Sequence, residues 1–126
     1  MLKEQEHNKI MNLPNLQNTL KVLNLRHTQL KNLPDSIGKF KKLQHLNLSK
    51  NKLVILPASI GNLSKLKTLN LSENPITTLP SSMKDLEKLE TLDLRSTPKL
   101  RELVADKLVG LHDLKVIWQD PIKPNN

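Results

Sequence analysis

Residues 43–65 read LQHLNLSKNKLVILPASIGNLSK. Moved forward 23 residues, this line falls on LKTLNLSENPITTLPSSMKDLEK at 66–88; moved back 23, it falls on LKVLNLRHTQLKNLPDSIGKFKK at 20–42. A fixed period in this range signals a repeat architecture and governs every local reading. In Leu46-Asn47-Leu48 side chains alternate, so an extended strand turns its leucines inward and Asn47 outward. One unit cannot bury its leucines alone; stacked neighbours cover them with a shared core. Asn51 and Asn74 stand where the chain leaves the strand, and a buried amide there can satisfy loop backbone groups. Thr28 and Thr97 hold the same place with one hydroxyl, which predicts turns less firmly tied. Leu-Pro at 33–34, 56–57 and 79–80 breaks the strand register. The spacing that follows (Ile37/Phe40, Ile60/Leu63, Met83/Leu86) suits one short helical turn.

The constant letters L-x-x-L-x-L-x-x-N-x-L-x-x-L-P-x-x-I-x-x-L are similar to those of leucine-rich repeat proteins, over roughly residues 8 to 118. The chain resembles the short, LP-containing 23-residue type of intracellular bacterial and plant proteins. The resemblance implies an α/β solenoid: a curved horseshoe segment with a parallel sheet of about five strands on its concave face and short helical turns on its convex face. A single domain is expected, with a degraded half-repeat or N-terminal cap at 1–19, repeats at 20–42, 43–65, 66–88 and 89–113, and a terminal strand and tail at 114–126. In the first segment Lys3 and Gln5 take strand leucine places, so a natural cap and the trimmed end of a larger protein both stay open. The fourth unit counts 25 residues, with one extra between Thr97 and Leu100 and one between Leu103 and Leu108. Val104-Ala105-Asp106-Lys107 replaces the proline turn there, which predicts a longer convex helix. Leu114 then opens a fifth strand that Asp120-Pro121 ends.

Charge and composition narrow the function. Net charge is +8, carried wholly by residues 1–65, with eleven Lys/Arg against three Asp/Glu; residues 66–126 carry nine of each. Such a field suits an acidic partner, or serves solubility alone. There is no cysteine, hence no disulfide framework, thiol nucleophile or Cys-bound zinc, and a reducing, cytoplasmic compartment is the simplest reading. The charged start MLKEQEHNKIMN does not read as a signal peptide, and no apolar run reaches about 18 residues. Three lone glycines form no phosphate-cradling loop. His27 and His45 fall on adjacent strands but roughly 16 Å apart along them, too far to share an ion. No Ser, His and Asp converge in the repeat geometry, so neither catalysis nor a cofactor or metal is expected. Sequons at Asn47 and Asn70 would place sugars on the concave face, which argues against a eukaryotic secretory route.

Sorting the strand residues by column gives the candidate site. The outward columns read Val22/His45/Thr68/Thr91/Val116, then Asn24/Asn47/Asn70/Asp93/Trp118, with Arg26 and Arg95 in a third and Lys50 and Glu73 beyond it. The asparagines are mostly repeat habit; the departures Arg26, Asp93, Arg95 and Trp118 carry more information. Trp118, the one tryptophan, is expected exposed beside Asp93 as an interface anchor, or as a lid on the open end of the core. The leading reading is a non-catalytic module holding a protein partner on its concave face, the partner being an enzyme with an acidic surface. The resemblance implies a small bacterial effector or regulator that masks or inhibits its partner, delivered into a host cytosol in the effector case. A second reading is the substrate-recognition domain of a larger effector or enzyme, such as a ubiquitin ligase. Polyanion or nucleic-acid binding ranks third, because aromatic stacking residues and an arginine stripe are missing. Sequence leaves homo-oligomerisation open.

Overall fold

A computed structural model describes residue 11 and residues 13–100, 107–111 and 113–118. Alternating leucines give five three-residue strands: β1 (Val22–Asn24), β2 (His45–Asn47), β3 (Thr68–Asn70), β4 (Thr91–Asp93) and β5 (Lys115–Ile117). They form one parallel sheet in chain order, β1-β2-β3-β4-β5. From β1 to β4 each step is 23 residues, pairing Leu23 with Leu46, Leu46 with Leu69 and Leu69 with Leu92. A regular sequence period therefore becomes a spatial column. Leu46, Leu48, Leu69, Leu71, Leu92 and Leu94 are at most 1% exposed. Each such burial contributes about 1.5–3 kcal/mol.

Among the described residues the convex side carries three 3-10 helices, η1 (Asp35–Lys39), η2 (Ala58–Asn62) and η3 (Ser81–Asp85). Each opens after the proline of Leu-Pro, whose extended backbone (ψ 150–152°) cannot continue a helix. Ile37, Ile60 and Met83 point into the core, fully buried. Gly38 and Gly61 let neighbouring turns approach: an added Cβ would stand 2.8 Å from the Ser59 carbonyl oxygen and 2.6 Å from that of Ser82. The shorter connection ahead of β1 forms an α-helix instead, α1 (Pro14–Thr19), with proline at its first position. Leu16 and Leu20 pack against the core from this end.

Two polar devices tie the units together. The Asn51 amide nitrogen donates to the carbonyls of Leu25 (2.8 Å) and Leu48 (3.0 Å), and its oxygen accepts the N–H groups of Thr28 and Leu30. Asn74 repeats this one unit later, reaching back to the Leu48 carbonyl at 2.9 Å. Thr28 and Thr97 donate within their own turns, to the carbonyls of Leu25 (2.9 Å) and Leu94 (2.7 Å), and the Thr28 hydroxyl adds one long contact, 3.4 Å, to the Asn51 amide oxygen of the next unit. The amides bridge two units with short bonds; the hydroxyls make their short bonds within one. The second device is a left-handed residue just before each of these positions: His27, Lys50, Glu73 and Ser96, at φ 56–58°.

At β5 the register departs from the sequence count. Leu114 donates to the Leu111 carbonyl as Leu89 does to that of Leu86, so Leu114 takes Leu89's place as expected. One residue rather than two then separates it from the strand's inward side chain. Lys115 pairs with Thr91, Val116 with Leu92 and Ile117 with Asp93. Val116 therefore belongs to the inward leucine column and packs against the core, and Ile117 takes the outward place that the count gave to Trp118. A one-residue slip reverses every side chain's face. The longer helix expected at 104–107 falls largely on residues 101–106, outside the described residues.

Candidate partner-binding site

The outward columns of the sheet enclose a groove of about 340 Å³. Its upper column is Val22, His45, Thr68 and Thr91, and its lower column is Asn24, Asn47, Asn70, Asp93 and Ile117. The strand backbone at Leu23, Leu46 and Leu69 forms the floor between them.

The lower column is there for a reason internal to the chain. Asn24, Asn47 and Asn70 each accept, through the side-chain oxygen, the backbone N–H two residues on, in Arg26, Ser49 and Ser72, at 2.9–3.0 Å. The hydroxyls of Ser49 and Ser72 bond to the same oxygens at 2.7 Å. These side-chain turns steer the chain out of the strand toward the left-handed residue. Asp93 does the same for Arg95 at 3.1 Å and gains more: its carboxylate takes both Nε (3.0 Å) and a terminal nitrogen (2.7 Å) of the Arg95 guanidinium. Burial, which alone would raise the Asp93 pKa, is outweighed by the side-chain hydrogen bonds, the backbone hydrogen bond and the charge of Arg95, and the carboxyl lies below its ordinary value. In the upper column His45 Nδ1 lies 2.8 Å from the Thr68 hydroxyl, so adjacent strands present a joined polar pair.

Of the residues singled out by sequence, Val22, Asn24, His45, Asn47, Thr68, Asn70, Thr91 and Asp93 line this groove together. Arg26, Lys50, Glu73 and Arg95 follow the strands on the exit rim. Arg95's fork is already laid on Asp93. Val116 and Trp118 do not stand in the groove columns. Trp118 follows Ile117 in the place Leu94 holds one strand earlier, 47% exposed, which fits its reading as a cover for the end of the core. Ile117, missed by sequence, completes the groove. Among the described residues no group of three or more His, Asp or Glu could hold a metal ion. No helix among them is long and apolar enough to cross a membrane.

The sequence matches the family described as leucine-rich repeat region over residues 1–123. The chain belongs to the leucine-rich repeat family. Among solved structures it is similar to a leucine-rich repeat protein of Leptospira interrogans, at 35% identity and TM-score 0.65, over 78% of this chain and 24% of that one. It is also similar to the leucine-rich repeat domain of the type III effector XopL, at 28% identity and TM-score 0.68, over 82% of this chain and 38% of that one. Internalin C2 of Listeria monocytogenes shares the fold at 20% identity and TM-score 0.56, over 87% of this chain and 56% of that one. The chain thus spans about a quarter to two fifths of the first two matched structures. No curated protein matches it in sequence. Leucine-rich repeat solenoids are interaction scaffolds whose ordered strand side chains offer an extended surface to another protein.

Proposed function

We propose that this leucine-rich repeat chain is a non-catalytic module that holds a protein partner in the concave groove between Val22 and Ile117, and that it acts as an effector or regulator by covering part of that partner. The observation that carries this reading is the groove's make-up. Its polar atoms are ordered before any partner arrives: three asparagines and Asp93 are pinned by their own turns, and His45 by Thr68. Preordered side chains lose little entropy on binding. Val22 and Ile117 add apolar contact at the two ends. Arg26 and Lys50 extend the footprint past the first two strands, Glu73 past the third, Arg95 past the fourth and Trp118 past the fifth. Likeness to an effector's leucine-rich repeat domain supports the effector role by analogy. A second reading, the recognition part of a larger effector or enzyme such as a ubiquitin ligase, draws support from the greater length of the matched structures.

The test fills the groove. Thr68→Tyr puts a neutral, bulky ring at its centre without touching the leucine core. Affinity capture from the native host, read by mass spectrometry, is expected to return at least one protein with the wild-type chain that Thr68→Tyr loses. Identical captures from two folded baits would overturn the assignment of the groove.

A further inference from the structure

Lys42, Lys65 and Lys88 recur at intervals of 23 residues, each directly ahead of a buried leucine, and all three are exposed. Because their units are stacked in register, they form a column where the chain returns from the convex turns to the sheet, with a step near the ~4.8 Å strand spacing. Lys21 and Lys67 immediately precede the groove residues Val22 and Thr68, so the same positive strip runs up to the groove wall. Among the described residues none of these five lysines takes part in an ion pair. The groove is different: its one carboxylate is neutralised by Arg95, and its other walls are amide, hydroxyl, imidazole and aliphatic. Attraction for acid therefore lies on the rim and not in the groove.

We propose that this rim is a docking strip for an acidic segment of the partner protein, a run of Asp and Glu carboxylates laid across the strands beside the groove. The inference rests on the reading that the groove holds a protein. A helix presenting one carboxylate per turn, every ~5.4 Å, matches the column's step to within the reach of a lysine stem. The strip is strongest over the first two units, since Glu87 and Glu90 flank Lys88. Phosphate partners fit less well. The column has no arginine fork for phosphate, and no aromatic ring for a base, because Phe40 is fully buried. The exposed large apolar residues, Leu13, Val22, Val54, Ile55, Val109 and Trp118, stand outside the lysine column, so the column offers no apolar wedge to a bilayer.

The test titrates the whole chain with fluorescent poly-L-glutamate, read by anisotropy at ~50 and ~200 mM salt, where screening separates charge-driven binding. Lys42→Glu with Lys65→Glu is compared with Lys31→Glu with Lys52→Glu, an equal charge change on the strand-exit side. The column pair is expected to weaken binding about 10-fold or more, and the control pair less than about 3-fold. Equal losses would show a diffuse field and overturn the strip. Tighter binding to duplex DNA or to phosphatidylserine vesicles than to polyglutamate, lost in the column pair, would overturn the protein assignment. Thr68→Tyr is expected to leave polyglutamate binding intact, so the strip and the groove fail separately.

Discussion

Asn74 makes four hydrogen bonds from one buried amide: its oxygen accepts the Leu53 N–H, and its nitrogen donates to the carbonyls of Leu48, Leu71 and Ser72. Asn74→Ala leaves the Leu53 N–H and the Leu71 carbonyl without partners away from water, while the Leu48 and Ser72 carbonyls keep the Asn51 amide and the Lys50 N–H. Each buried orphan costs about 1–3 kcal/mol, so a loss of about 3 kcal/mol is expected in urea unfolding. Thr97→Val removes one bond within one turn and is expected to cost less. Asp93 is the second residue with a measurable signature. Its folded pKa is depressed, so its contribution is fully present above the unfolded carboxyl value and is lost as pH falls through the folded one. Asn at this place still accepts the Arg95 N–H, as Asn24 does for Arg26. Arg95 is half exposed, so Asp93→Asn is expected to cost less than about 1 kcal/mol at neutral pH. The gap between wild type and variant at pH 7 is expected to close as the pH is taken down below ~4; a gap that widens in acid would reverse the sign argued here.

Among the elements, β5 offers the sharpest test, because sequence and structure assign its side chains to opposite faces. Val116→Asp is expected to destabilise by several kcal/mol, since the carboxylate would enter the leucine column. Ile117→Asp is expected to leave the melting temperature within a few degrees while altering the groove. The opposite outcome would restore the sequence count. The comparison also shows what could be read in advance. Strands β1 to β4 were legible because Leu-x-Leu leaves only one parity. In Val116-Ile117-Trp118 three apolar residues run together, and either alternation buries something apolar. The pairing with β4 decides it: the Leu94 N–H donates to the Ile117 carbonyl at 2.7 Å, and the Lys115 N–H to the Glu90 carbonyl at 2.9 Å. The groove's upper column failed at Val116 with the β5 register but was legible over the same four strands, as positions the core does not claim. The purpose of its asparagines was not, because a side-chain turn leaves the same letters as habit. Nor were the left-handed residues: Lys50 and Glu73 carry none of the glycine or asparagine that usually marks such a φ.

At the scale of the whole molecule the question is how far damage travels along the stack. In a repeat array each unit touches only its neighbours, and stability sums unit terms and interface terms. About three repeats are needed before such a sum favours folding. Leu71 is fully buried at the third of five strands, with covered units on both sides. Leu71→Asp would bury an unpaired carboxylate there, at a cost of several kcal/mol against a total of ~5–15. More than the number matters: losing the middle unit leaves a remnant on either side too short to stand alone. Leu23, 8% exposed on β1, is the end case. Leu23→Asp removes one interface and leaves β2 to β5 stacked. Circular dichroism with urea unfolding is therefore expected to show no folded baseline for Leu71→Asp. Leu23→Asp is expected to keep a folded baseline with a lower midpoint and a shallower slope, because its end unit is already frayed. If the two substitutions prove equally severe, the domain folds as one block and nearest-neighbour stacking does not describe it. The distinction bears on the groove, since a stack that frays from β1 would lose Val22 and Asn24 first while keeping the half built around Thr91 and Asp93.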